Sequence, residues 1–256
     1  LEAQQDHLSH HHAVQHLGQT GAGEQNEGGL HQLAAIQSVP ELQVSAPEFA
    51  EVLSFCQENK VSLLVVGPEQ PLADGIVDVL SAAGVLVFGP SKAAAELEAS
   101  KAFAKEFMQR HKIPTAEFRA FEGKENLEAA LQYVKEHASG EGKEQKQLVV
   151  KASGLAAGKG VVVPETLQET ERAVRDALEK RVFGAAGETL VLEERLSGPE
   201  VSVFVLTDGE RYLFLPPAQD HKRALDNDCG PNTGGMGAFA PSPLLSTEGL
   251  RQGRSG

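Results

Sequence analysis

The sequence predicts a two-part protein of class α/β plus α+β: a partial, Rossmann-like parallel sheet, then a smaller α+β part. Three observations predict it. Short apolar strands alternate with helical periods from residue 41 to about Arg110. The pattern then changes after Ile113-Pro114. From Leu148 onward, strands joined by turns or a glycine-rich loop are interleaved with a single helix.

In order, Glu41–Ser45 is a short strand candidate, and a helix follows Pro47, with Phe49, Val52, Leu53 and Cys56 at helical spacing up to Asn59. Val61–Val66 is a continuous apolar run, the mark of a strand buried on both faces. Ile76–Ala83 reads as a helix, Val85–Phe88 as the next strand, and Ser91 to about Arg110 as mostly helix. Such sheets bind ligands at the carboxyl ends of their strands, which is where Gly67–Gly75 falls. In the second part, Glu125–His137 and Thr166–Val182 are helices, and Thr189–Glu194 is a strand. Glu200–Leu206 and Tyr212–Leu215 form a hairpin about Asp208-Gly209. The expected divisions are 1–38, an atypical and disordered segment, then 39–100, 101–196 and 197–256.

Composition narrows the function. The 256 residues are 41% hydrophobic and 23% charged, ordinary for a soluble globular protein. A net charge of −13 argues against a nucleic-acid partner. Cys56 and Cys229 make no disulfide framework, which suits a reducing, cytoplasmic location. No apolar run reaches the length of a membrane span, so a membrane partner is not expected. A small ligand is.

The segment before residue 38 is different. It holds six of the nine histidines, and the first Lys or Arg of the chain is Lys60. His7 with His11, and His12 with His16, have the i, i+4 spacing of zinc ligands. No cysteine or acidic ligand set accompanies them, so a disordered polar tail is the reading taken and no metal ligand is assigned.

Chemistry concentrates in two glycine-rich stretches. The first, Leu148–Val163, is a Gly/Lys loop between two valine runs, able to bring backbone N–H groups and an ammonium against a polyphosphate. It is not a P-loop: only three residues separate Gly154 from Gly158-Lys159, and Gly160 stands where Ser or Thr is required. Val161-Val162-Val163 returns as a strand rather than a helix, so the loop is a hairpin flap over a nucleotide. Lys151, within an apolar run just before the loop, is placed to reach phosphates; Lys159 is either a flap ligand or a solvated lysine. The second stretch joins Gln219–Arg223 to Gly230–Gly237. Asp220, His221 and Lys222 read as a substrate-binding loop, with basic groups for phosphate and a carboxylate for an amine or hydroxyl. Asn232 can donate to phosphates, and Gly234 and Gly235 allow close backbone approach.

These motifs, with Gly67–Ala73 and Phe103–Met108, resemble the phosphoribosylamine–glycine ligase (glycinamide ribonucleotide synthetase) family of the ATP-grasp superfamily, from about Val39 to about Leu245. The style is similar to the synthetase domain of the trifunctional animal purine enzyme. The resemblance implies a pre-ATP-grasp sheet followed by an ATP-grasp domain. It also implies ATP-dependent ligation of glycine to 5-phosphoribosylamine through a glycyl phosphate, with ATP and Mg²⁺ as cofactors.

On that resemblance Lys151 is catalytic and phosphate-binding, and Lys105, Gly154, Gly158, Lys159, Gly160 and Asn232 surround the phosphates. Glu193, Glu194 and Leu196 belong to the adenine hinge, Glu200 takes the ribose hydroxyls, and Glu69, Asp220, His221, Lys222, Gly234 and Gly235 face the substrates. An exposed helix lysine is the alternative for Lys105. Family members open with a Gly-Ser-Gly-Gly-Arg-Glu-His turn and carry Mg²⁺ ligands in a later Glu-Phe-Asn motif, neither of which occurs in this sequence. The expectation is a chain incomplete at both ends, whose opening sheet exposes an apolar edge. The alternative is an inactive fragment that at most binds ATP or a partner.

Overall fold

The computed structural model describes residues 42–139, 147–156, 159–226 and 229–245. The chain divides after Arg195 into two units.

The first unit opens with helix α1, Ala50–Glu58, which buries Val52 and Cys56. Phe49, immediately before it, is fully buried in a left-handed conformation with φ 49°. Packing of its ring offsets a backbone geometry that non-glycine residues disfavour. Strands β1, Leu64–Val65, and β2, Val87–Phe88, pair in parallel, Leu64 opposite Val87. Between them lie α2, Glu69–Asp74, and α3, Ile76–Ala82, hinged at Gly75 with φ 97°. Their apolar residues join one small core of Phe49, Val52, Cys56, Leu64, Ile76 and Leu80. Helices α4, Lys92–Ala99, and α5, Lys101–Arg110, follow. Ser91 and Ser100 cap them, accepting from the N–H groups of Ala94 and Phe103.

Two expectations fail here. Residues 42–45 form no strand. The run Val61–Val66 is covered on one face only: Leu64 is 3% exposed, whereas Leu63 and Val65 are 41% and 58% exposed. Apolar continuity reports what a face would favour, and the neighbouring elements decide which face is covered.

The rest of this unit is a four-stranded antiparallel sheet backed by two helices. Strand β3, Phe118–Glu122, which the sequence reading did not anticipate, pairs with β6, Thr189–Glu194; β6 pairs with β4, Leu148–Ala152; and β4 pairs with β5, Val161–Val162. Helices α6, Leu127–Ser139, and α7, Leu167–Leu178, cover one face. Thr166 and Glu169 close a capping box at the start of α7. Leu131, Val134, Val174 and Leu178 from the helices meet Leu148, Val150, Leu190 and Leu192 from the strands. Strand alternation then places Val149 and Lys151 of β4, and Val191 and Glu193 of β6, on the opposite face. Helix α7 stops short of Val182, which is 58% exposed; Arg181 turns the chain with φ 51°.

The second unit holds two hairpins. In the first, β7, Val205–Thr207, pairs with β8, Tyr212–Phe214, about a turn in which Asp208 Oδ1 accepts from the N–H groups of Glu210 and Arg211. This hairpin is shorter than expected, with Ser202 making only an isolated bridge to Ala218. In the second, β9, Gln219–Leu225, pairs with β10, Cys229–Phe239, through two register shifts. The stretches read as a charged loop and a glycine turn are therefore strands. Backbone pairing absorbs the glycine-rich run, and the irregular register takes up residues without a partner.

Candidate functional site

In the first unit, β4 and α5 converge on the far face of the sheet. Lys151, next to last in β4, projects away from the helices, as does Glu193 near the end of β6; the backbone register places Val149 opposite Glu193. Lys105 is one turn into α5. The Glu193 carboxylate is bracketed by both lysines: Lys151 pairs with Oε1, and Lys105 Nζ lies 2.7 Å from Oε2. The Lys105 approach is a charge contact off the line of a directed hydrogen bond to Oε2. Lys105 also donates to Thr115 Oγ1 at 2.8 Å and lies 5.8 Å from the Phe118 ring centroid. Side-chain exposure is 11% for Lys105, 8% for Glu193 and 26% for Lys151, so Lys151 is the more open cation.

Burial pushes the Glu193 carboxyl up, but the close Lys105 and Lys151 ammonium groups more than offset it and hold the group below the usual carboxylate range. With Glu193 ionised, the cluster carries an excess of positive charge facing away from the helices. A phosphate is suited to that excess.

A third lysine belongs here. Lys101, at the first position of α5, donates through Nζ to the Gly154 carbonyl at 3.4 Å. Its backbone N–H donates to Ser153 O, and the Ala102 N–H to Ser153 Oγ, at 2.9 and 3.0 Å. Ser100 Oγ and Ser153 Oγ lie 3.2 Å apart. These contacts fasten the start of α5 to the root of the glycine loop. The sequence reading missed Lys101, Ser153 and Thr115; the i, i+4 pair Lys101/Lys105 was the available signal for the first.

The loop requires its glycines. Gly154 N–H donates to Ala186 O at 2.9 Å, and a Cβ there would sit 2.8 Å from Ala186 Cα. At Gly160 a Cβ would come 2.8 Å from that of Ala156. Lys159 is exposed, and Gly158 lies outside the described residues. Glu194 is half-buried at the end of β6, while Arg195 donates to Glu165 at 3.1 Å and Gln147 at 3.0 Å beside a cavity of about 490 Å³. That cavity includes none of the lysine cluster. Glu69 opens α2, exposed, at the carboxyl end of β1.

In the second unit, Lys222 Nζ lies 2.9 Å from Glu200 Oε1 and 3.4 Å from Asp220 Oδ2. The Glu200 hydrogen bond, opposed by slight burial, raises the pKa of Lys222. Three residues expected to face ligand thus face one another. His221 stacks on Phe239, rings 5.7 Å apart, and Thr233 Oγ1 accepts from Gly235 N–H. Asn232 and Gly234 lie in β10, where Asn232 pairs with Arg223; Leu196 is 69% exposed. The histidines of residues 7–16 fall outside the described residues.

An antiparallel sheet on two helices, with strand and helix lysines converging beside a glycine loop, defines an ATP-grasp fold. Comparison bears this out. The chain belongs to the phosphoribosylglycinamide synthetase family: the model of its ATP-grasp (A) domain matches residues 99–255, and that of its N domain residues 7–98. The N-domain match thus extends further toward the start of the chain than the motifs did.

A phosphoribosylamine–glycine ligase of Rhodopirellula baltica is 53% identical over 199 residues, 78% of this chain and 45% of that protein. The human trifunctional purine biosynthetic protein adenosine-3 is 48% identical over 215 residues, 84% of this chain and 20% of that protein. The crystal structure of phosphoribosylamine–glycine ligase from Thermotoga maritima superposes with a TM-score of 0.53 at 35% identity, covering 65% of this chain and 40% of that one. The chain spans less than half the length of these curated relatives.

Proposed function

We propose that the chain supplies the ATP-binding part of a phosphoribosylamine–glycine ligase. The observation that carries this reading is the convergence of Lys105 and Lys151 on the buried Glu193 carboxylate. Two ammonium groups on rigid elements are placed to neutralise phosphoryl charge, which is the main demand of phosphoryl transfer. Glu193 holds both in place and gives Lys151 a resting partner, which phosphate would displace or share. The glycine loop starts beside the same cluster, its Gly154 carbonyl accepting from Lys101 Nζ.

In the reaction, the glycine carboxylate attacks the γ-phosphorus of ATP, forming glycyl phosphate and releasing ADP. The phosphoribosylamine nitrogen then attacks the acyl carbon, phosphate leaves, and one proton is lost from nitrogen. Glu194 and Leu196 would meet adenine through backbone groups, Glu200 the ribose, and Glu69, Asp220, His221 and Lys222 the substrates. For Lys222 that role requires exchanging Glu200 and Asp220 for a ligand phosphate. Mg²⁺ would neutralise phosphate charge; among the described residues no group of three His, Cys, Asp or Glu converges to hold it, and no step is assigned to it. A cytoplasmic location suits this reading.

The test is ADP formation by the purified chain in the presence of ATP, glycine and phosphoribosylamine. Release that requires both co-substrates supports ligation. Release independent of either, or none despite bound ATP, contradicts it.

A further inference from the structure

We propose that Ser153 is a positioning residue of the phosphate site: it locks the start of α5 to the end of β4 and so sets where Lys105 and Lys151 meet an anion. The proposal rests on the phosphate reading above and deepens it with a residue that acts through two others.

Helix α5 carries Lys105 but has little apolar packing to hold it in place. Among Lys101–Arg110 only Lys105 is buried, and neither apolar core includes a residue of the helix. Phe103, Phe107 and Met108 are half-buried. A helix ordinarily keeps its position by burying an apolar face, as α7 does with Ala173, Val174, Ala177 and Leu178. For α5 the position has to come from polar contacts, and those at its start converge on Ser153.

Ser153 is 5% exposed and lies two residues beyond Lys151. Its N–H donates to Thr189 O at 2.8 Å, continuing the pairing of β4 with β6. Its carbonyl accepts from the Lys101 N–H at 2.9 Å, and its Oγ from the Ala102 N–H at 3.0 Å. Ser100 Oγ, 3.2 Å from Ser153 Oγ, accepts from the Phe103 N–H. The first N–H groups of a helix have no partner within it. Here two of them are met by a residue 51 positions along the chain from Ala102, so the cap also ties helix to strand at the backbone. The arms from this joint are short. Lys105 is four helical residues from Lys101, about 6 Å along the axis, and Lys151 two strand residues from Ser153, roughly 6–7 Å. A tilt of α5 by about 10° at the joint moves the Lys105 backbone by about 1 Å, and a misplacement of that size is costly where charges must meet at close range. The 2.7 Å approach of Lys105 to Glu193 joins side chains; the Ser153 bonds fix the elements that carry them.

The experiment is calorimetric binding of inorganic tripolyphosphate and ATP to the wild-type chain and to Ser153→Ala, Ser153→Cys, Ser153→Thr and Thr166→Ala, the last removing the cap of α7. Ser153→Ala should weaken both ligands by about tenfold per folded molecule and speed hydrogen exchange of the Ala102 amide. Ser153→Cys, a weak acceptor of similar shape, should fall between, and Ser153→Thr, which keeps the hydroxyl, should bind nearly as the wild type does. Thr166→Ala should lower the thermal midpoint without changing affinity. Unchanged tripolyphosphate affinity in Ser153→Ala, or in Ser153→Cys where the alanine variant does not fold, overturns the proposal. So does a loss as large as that of Ser153→Ala in Thr166→Ala or Ser153→Thr, or no tripolyphosphate binding by the wild type. Tripolyphosphate affinity that depends on Ser153 in a chain that does not bind ATP keeps the proposal and removes the nucleotide reading. ATP binding indifferent to Ser153 does the reverse.

Discussion

The face of the β3–β6–β4–β5 sheet and the β9–β10 hairpin both pair lysines with glutamates, yet the two clusters have little else in common. Glu193 is 8% exposed and serves two lysines on separate rigid elements. Glu200 is 67% exposed, Lys222 46%, and both stand on the surface of the second unit. The chemistry of the side chains is the same; burial and the stiffness of what carries them differ. Water weakens the exposed pair and supplies an alternative partner to each of its members, whereas the buried group depends on its neighbours. The first arrangement is therefore built to be specific and the second to be exchanged.

The largest effect that separates the two regions should come from Glu193→Ala. Removing the carboxylate leaves Lys105 and Lys151 facing each other without a counter-charge, and such losses cost about 3–5 kcal/mol. Urea unfolding of the first unit should show it; a loss below about 1 kcal/mol, the range of an exposed pair, would place Glu193 in the same category as Glu200. Leu190→Ala comes next. Leu190 is fully buried between the sheet and its helices, and truncation there costs about 2–5 kcal/mol. Because it touches no charge, it should lower stability while leaving polyphosphate affinity per folded molecule unchanged, which binding to the folded fraction checks.

Acid sharpens the contrast. The Glu193 carboxyl titrates below its unfolded value, so its contribution is complete above the ordinary carboxylate range and is lost as pH falls through the depressed value. Unfolding of wild type and Glu193→Gln should differ at neutral pH and converge in acid; a gap that persists at low pH would assign the effect to shape rather than charge. The smallest change is expected of Lys222→Ala, under about 1 kcal/mol, read from the midpoint of the second unit.

The sequence disclosed the first region far better than the second. The valine runs flanking the glycine loop were enough to place Lys151 at the end of a strand just before the loop; the face it takes follows from the register of β4 with β6. The helical period likewise located α5 and α7. Strand β3 escaped notice because Phe118–Glu122 is only five residues long, and its adjacent Ala120 and Phe121 break the alternation that marks a half-buried strand. From the residues alone Lys105 reads as an exposed helix lysine, since nothing local records that Thr115, Phe118 and Glu193 close around it. The Gly230–Gly237 run was mistaken for a turn: glycine density argues for loops, and only pairing with Gln219–Leu225 makes it a strand. Pairing across distance also explains the partial exposure of Val61–Val66, where composition described the strand and not its cover.

The central claim is that the lysines gathered on Glu193 form a nucleotide phosphate site. Thermal unfolding of the chain with ATP at about 100 times its dissociation constant tests it most directly, since binding to the folded state alone should add about 2.7 kcal/mol. The midpoint of the wild type should rise, with little or no rise for Lys151→Ala at the same ATP concentration. An equal rise in both would contradict it.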